Sequence, residues 1–250
     1  MSQTTTAWQM VSRQHLNPSG AERIYRVGLA PSGFVAPAWR AGDIAEFEMP
    51  DGQRRSYSIS SVPSEGRLDL LVREVRMADG TPGRGTAWLL HGTHPGEQIN
   101  LRIKPNEAFH TPAGEGPLLL IGAGSGLAGL RPHILEALAA GRPVWLMYGE
   151  RHSDSHNDLC RELQAWHLDG KLYRFNLALS HPEAGQGRYV QDIVSQYAAD
   201  LRHFLGANGR VMTCGSRAMG TAVEDALKQA LGDAWMSAAA DEERYRLALY

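Results

Sequence analysis

Arg55-Ser56-Tyr57-Ser58 and Gly122-Ala123-Gly124-Ser125-Gly126 are the two stretches of this sequence whose residue types and spacing speak most directly of chemistry. On a strand, alternation puts Arg55 and Tyr57 on one face, a guanidinium for a phosphate beside an aromatic plate for a flat ring. That pairing suits a flavin nucleotide, or equally a salt-bridged Arg beside a core Tyr. Downstream, Gly83-Arg84-Gly85-Thr86-Ala87-Trp88-Leu89 offers the Thr86 hydroxyl and a helix start, a second seat for an anion. Gly122 to Gly126 joins an apolar run to an amphipathic stretch, so its glycines let backbone N–H groups approach an anion at the positive end of a helix. The same region, Gly124 to Gly129, also spells the ordinary dinucleotide fingerprint G-x-G-x-x-G, with Glu150 at the end of the next strand as a ribose acceptor.

Three further groups fall at the ends of predicted strands, the edge where open α/β sheets hold ligands. Ser180-His181 ends one strand, and Gly187-Arg188-Tyr189-Val190-Gln191 opens the helix after it; these groups could read a ribose and its 2′-phosphate or form a solvated loop. Cys214-Gly215 ends another, although a lone Cys is more often a small buried hydrophobe. The histidine pairs His152/His156 and His91/His94 lie in polar, turn-rich stretches without a matching third ligand, which argues against a metal site.

The elements that must position these residues fall into two halves. From about Ala21 to Ile103, short period-2 segments (Arg23–Val27, Ile44–Glu48, Ser56–Ser60, Leu68–Val72, Ile99–Ile103) are punctuated by Gly42-Asp43 preceding, then Asp51-Gly52, Glu65-Gly66 and Pro95-Gly96. This spacing predicts a small antiparallel barrel with one short helix near Arg84 to His91. After Pro112 the rhythm becomes strand, glycine turn, helix: Leu118–Ile121 then Leu127–Ala140, Val144–Tyr148 then Leu159–Trp166, Tyr173–Leu179 then Val190–Leu205, Val211–Thr213 then Ala218–Leu231. Alternating βα units predict a parallel, doubly wound sheet. The Gly- and Pro-containing stretch from Thr111 to Pro117 reads as the linker, giving domains of 1–113 and 114–250.

Composition narrows the function classes. The chain has 250 residues, 43% of them apolar, enough to bury a core. Its 25 basic and 27 acidic side chains leave neither half with the basic field a nucleic-acid binder needs. Two cysteines cannot supply the four thiolates of a ferredoxin-type cluster, so any redox centre must be bound. The N-terminal residues lack the blocks of a secretory signal, and no apolar run approaches the ~18 residues of a membrane span, which predicts a cytoplasmic protein with no membrane partner.

Taken in order, these motifs resemble the ferredoxin-NADP reductase superfamily, most closely the reductase part of diflavin enzymes. The family's R-x-Y-S stands at Arg55 to Ser58, its G-x-x-S/T at Gly83 to Thr86, its G-x-G-T-G-x-A-P-x-R at Gly122 to Arg131, its C-G at Cys214-Gly215 and its C-terminal aromatic at Tyr250. The resemblance implies an FAD-binding barrel followed by an NADP-binding α/β domain. Arg55 would hold the FAD pyrophosphate, Tyr57 would stack on the isoalloxazine, Ser58 would bond near flavin N5, and Thr86 with its helix start would bind the flavin phosphates. Gly122, Gly124, Ser125, Gly126 and Arg131 would hold the NADPH pyrophosphate, and Ser180, Arg188, Tyr189 and Gln191 would surround its 2′-phosphate. Ser58, Cys214 and Tyr250 would be the catalytic residues, Tyr250 covering the flavin. Gly129 replaces the family's Pro, His181 stands where Arg is usual, and Ala248 replaces an acid near the C-terminus. No flavodoxin-like module accompanies these motifs, so the acceptor is expected to be a separate flavodoxin-like, ferredoxin-like or haem protein or a small molecule. A catalytically weak flavin-binding subunit or sensor is the alternative.

Overall fold

A computed structural model describes residues 5–17, 23–33, 38–152, 157–182 and 185–250. The chain divides into two compact units, Met1–His110 and Thr111–Tyr250.

The first unit is a six-stranded antiparallel sheet built from β1 (Thr6–His15), β2 (Ile24–Pro31), β3 (Ile44–Glu48), β4 (Arg54–Ser58), β5 (Leu68–Arg73) and β6 (Gln98–Lys104) in the order β4-β3-β6-β1-β2-β5. The sheet curls until its edges meet at one bridge, Ile59 to Leu70, making a barrel-like body without a full closing ladder. Period-2 side chains fill its interior: Trp8 and Met10, Val27 and Leu29, Ala45 and Phe47, Leu68 and Leu70, Ile99 and Leu101. β1 lies centrally, between β6 and β2, although the sequence reading starts its strands only near Ala21. Its apolar face is just Trp8 and Met10, and a bulge between Met10 and Ser12 breaks the alternation that would advertise it. The expected short helix is α1 (Arg84–Ala87), continued by a π-type turn over Trp88–Gly92.

The second unit carries five parallel strands, β7 (Leu118–Ala123), β8 (Val144–Glu150), β9 (Arg174–Leu179), β10 (Arg210–Gly215) and β11 (Tyr245–Leu249), in the order β11-β10-β7-β8-β9. Leu119, Ile121, Trp145, Met147 and Val211 pack against α4 (Val190–Gln196), α5 (Ala198–Leu205) and α6 (Arg217–Leu231). The alternate residues of β7 and β8 point the other way, toward α2 (Gly126–Ala139) and, beside β9, α3 (Asn157–Leu168). Helices therefore cover both faces, as a doubly wound sheet requires. The helix predicted over Val190–Leu205 is two helices that meet at Tyr197, whose ring packs 5.9 Å from that of Trp145. α7 (Asp233–Asp241) and β11 follow α6 without a sequence signal strong enough to have been read. Among the described residues no helix is long and apolar enough to cross a membrane.

The chain leaves β7 toward β8 and β9 on one side, then returns to β10 on the other. That reversal opens a crevice at the carboxyl ends of β7 and β10, the place where sheets of this kind take ligands.

Candidate functional site

Gly122 and Cys214 face each other in register where β7 and β10 end. A Cβ on Gly126 would lie 2.2 Å from the Cys214 carbonyl oxygen, and one on Gly122 would lie 2.6 Å from Leu130 Cδ1, so both glycines let α2 sit close on the sheet. Gly124 between them takes a positive φ of 54° and donates its N–H to the Gly149 carbonyl at 2.9 Å. The helix's own bonding begins with Leu127 and Ala128, so the Ser125 and Gly126 N–H groups stand ahead of it at the tip. Tyr250 reaches the same turn: its N–H bonds the Gly215 carbonyl at 3.1 Å and its hydroxyl lies 2.7 Å from Ser125 Oγ. Tyr250 is 62% exposed. Cys214 is buried, which pushes its thiol up to about 12 and keeps it a neutral S–H.

At the end of β9, Ser180 Oγ is 3.2 Å from His181 Nδ1, and the His181 ring is 5.5 Å from that of His152. A Cβ on Gly187 would strike the Ser180 carbonyl at 2.0 Å, and Arg188 N–H donates to the Leu179 carbonyl at 2.8 Å. The returning loop thus lies against the strand end and presents Arg188 there, its guanidinium exposed and bonded to Gln196. Tyr189 is exposed, its N–H accepted by Asp192 at 2.8 Å, and Gln191 sits half-buried in the first turn of α4. Arg131 is placed otherwise than the pyrophosphate role would suggest. It is buried in α2, forms a two-point pair with Glu162 of α3 at 2.9 and 3.2 Å, and lies 5.7 Å from the Trp166 ring centre. His156, one half of a histidine pair, lies outside the described residues.

In the first unit, the two motifs that are far apart in sequence meet in space. A Cβ on Gly85 would fall 3.0 Å from Tyr57 Oη and 3.1 Å from Arg55 Cγ, so glycine there allows the first turn of α1 to rest on β4. By helix geometry the N–H groups of Arg84, Gly85 and Thr86 precede the first intrahelical bond, Ala87 to Gly83 at 2.8 Å, and supply donors beside the Arg55 guanidinium. Arg55 meanwhile donates to Gln53 Oε1 at 2.9 Å and the Arg54 carbonyl at 2.8 Å. The Tyr57 ring is half-buried, 5.7 Å from Phe47; burial raises its phenol, against the pull of Arg55. Ser58 closes β4 opposite Ile44, half-buried. Thr86 is buried and its hydroxyl donates to the Gly83 carbonyl at 2.9 Å, leaving an oxygen lone pair but no spare proton.

Residues 120–225 match the family model described as an oxidoreductase NAD-binding domain. The sulfite reductase [NADPH] flavoprotein alpha-component of Thiocapsa roseopersicina is 37% identical over 136 residues, 52% of this chain and 26% of that protein. The bifunctional cytochrome P450/NADPH–P450 reductase of Fusarium oxysporum is 33% identical over 194 residues, 71% of this chain and 18% of its own length. Ferredoxin-NADP+ reductase from Plasmodium falciparum with 2′P-AMP superposes with a TM-score of 0.81 at 16% identity, covering 100% of this chain and 98% of that one. The chain has the fold of ferredoxin-NADP+ reductase, and over part of its length it is similar to the reductase portions of these curated proteins. It spans a third or less of the curated relatives named here.

Within this fold, some partners were beyond the reach of sequence reading. Glu162 carries no motif, and only its place on α3 reveals that it holds Arg131. Tyr148 had a usable signal, because it shares a face of β8 with Glu150 and so must follow that carboxyl inward. Glu150 itself is buried and bonded to Tyr148, which removes the ribose acceptor that a simple dinucleotide fingerprint would need.

Proposed function

We propose that this protein is a flavin-dependent NADPH reductase that holds FAD on the barrel-like unit and NADPH on the α/β unit and passes electrons to a separate acceptor. The observation that carries the reading is the meeting of Arg55, Tyr57 and the α1 start around Gly85, a donor set suited to a dinucleotide's pyrophosphate and an aromatic plate suited to a flat ring. The glycine turn at the β7–β10 crevice, with backbone donors at its tip, supplies the matching seat for the second nucleotide. When bound, the two cofactors supply hydride transfer from nicotinamide to flavin and onward release of electrons.

The protein's own part is placement. Arg55 and the first turn of α1 anchor the FAD pyrophosphate, Tyr57 lies along the ring and Ser58 bonds its reactive edge. The Gly122–Gly126 turn takes the NADPH pyrophosphate; Ser180, Arg188, Tyr189 and Gln191 read the 2′-phosphate. Cys214, a neutral thiol in the crevice wall, packs against the nicotinamide end. Ala248 stands in register beside it where an acid would otherwise help, so orientation carries more of the rate here. The relatives' printed names point to a cytochrome P450 or a ferredoxin as acceptor, and a flavodoxin-like protein or a small molecule fits equally.

Coenzyme choice tests this reading. Arg188 offers a permanent cation to the 2′-phosphate, whereas His181 is only a partial substitute for one. NADPH is therefore preferred over NADH in kcat/KM, and Arg188→Ala removes a charged contact of about 1.5–3 kcal/mol, at least a tenfold change, erasing most of the preference. Equal kcat/KM for the two coenzymes in the unmodified protein would contradict it.

A further inference from the structure

β8 ends in Tyr148-Gly149-Glu150, and its period of two turns Tyr148 and Glu150 to the same side of the sheet. Tyr148 is wholly buried and Glu150 is 5% exposed. The Tyr148 hydroxyl lies 2.8 Å from the Gly124 carbonyl oxygen and is hydrogen-bonded to Glu150 Oε1. β8 thus holds Gly124 on both sides, its N–H by the Gly149 carbonyl at 2.9 Å and its C=O by Tyr148, and the same C=O accepts the Leu127 N–H of α2 at 3.2 Å.

Two elementary constraints give these contacts a direction. In a trans peptide the C=O and the next N–H point opposite ways, so a Gly124 carbonyl turned inward to Tyr148 forces the Ser125 N–H outward, into the crevice. A phenol has one proton and a peptide carbonyl has none, so both contacts of the Tyr148 oxygen are hydrogen bonds only when Glu150 brings the second proton. Glycine at 124, in a left-handed conformation with a wide choice of alternatives, is the residue that most needs such a hold.

We propose that Tyr148 and Glu150 are positioning residues for the coenzyme turn, a hydrogen-bonded chain from the Glu150 carboxylic acid through the Tyr148 hydroxyl to the Gly124 carbonyl that aims the Ser125 N–H at a pyrophosphate. This rests on the reading that the Gly122–Gly126 turn seats NADPH. Glu150 then has a role unlike the ribose contact its position suggests in a plain dinucleotide fold. It acts through Tyr148 and touches no ligand.

The test compares NADP+ with adenosine 2′-phosphate, which lacks the pyrophosphate, as ligands of the full chain. In Tyr148→Phe the Kd for NADP+ and the KM for NADPH rise about 5- to 10-fold, the worth of one hydrogen bond, while kcat with ferricyanide and the affinity for adenosine 2′-phosphate stay within about twofold. Glu150→Met behaves like Tyr148→Phe, and Glu150→Gln, whose amide still donates, restores most of the loss. In case Tyr148→Phe folds poorly, infrared spectroscopy of the unmodified protein at neutral pH provides an independent reading: a protonated-carboxyl band that disappears in Glu150→Gln. An unchanged NADP+ affinity in Tyr148→Phe, an equal loss for both ligands, or a carboxylate band alone at Glu150 overturns the inference. Failure of the unmodified protein to bind NADP+ overturns the coenzyme reading beneath it, a result distinct from binding that the substitutions leave untouched.

Discussion

Cys214 ends β10 between Gly122 and Ala248, and burial holds its thiol up to about 12. At pH 8 only about one molecule in ten thousand carries the thiolate, and burial pushes Cys160 up as well. A disulfide reagent at pH 8 is therefore expected to find no fast thiol in the native protein and two after denaturation; a rapid native thiol would contradict this. The sign of the pH effect follows: an acid whose folded pKa lies above its unfolded value near 9 stabilises the fold fully below pH 9, and that share is lost as pH rises toward 12. Tyr250 belongs to the same scale. Its hydroxyl occupies Ser125 of the Gly122–Gly126 turn, so on the proposed reading deleting it is expected to tighten NADP+ and NAD+ alike by about 2- to 10-fold; unchanged affinities in a titration would dismiss the contact. Residue types in the motifs were legible from sequence, but partners were not. Arg131 reads as a phosphate ligand until Glu162, from another helix, is seen to hold it.

Elements fix which of those residues can meet. α2 approaches β10 only because position 126 has no side chain, the nearest obstacle being the backbone oxygen of Cys214. Gly126→Ala forces either the helix or the strand to shift, with an expected cost of about 1–3 kcal/mol and a marked loss of NADP+ affinity. Thermal unfolding and ligand titration check both, and a native Tm with native affinity would show that the close approach is dispensable. β2 to β6 of the first unit and every βα pair of the second were legible because their apolar periods are regular. β1 and β11 escaped notice for different reasons: β1 has a bulge and a two-residue apolar face, while β11 is a short edge strand whose residues are at most partly buried. The break at Tyr197 was equally hidden, since it serves the packing on Trp145 and leaves the helical pattern intact.

On the proposed reading each unit contributes an anion site, Arg55 with the α1 start on one and the glycine turn with the Ser180–Arg188 loop on the other. A flavin reductase needs both. Bound flavin that NADPH fails to reduce would mark the rival reading, a catalytically weak flavin subunit. The decisive measurement is the visible spectrum of the purified protein, mixed without oxygen with NADPH. The account predicts a yellow protein whose extracted cofactor is FAD and whose flavin absorbance bleaches rapidly on mixing. Colourless protein that takes up no added FAD, or bound flavin that NADPH leaves oxidised, would contradict it.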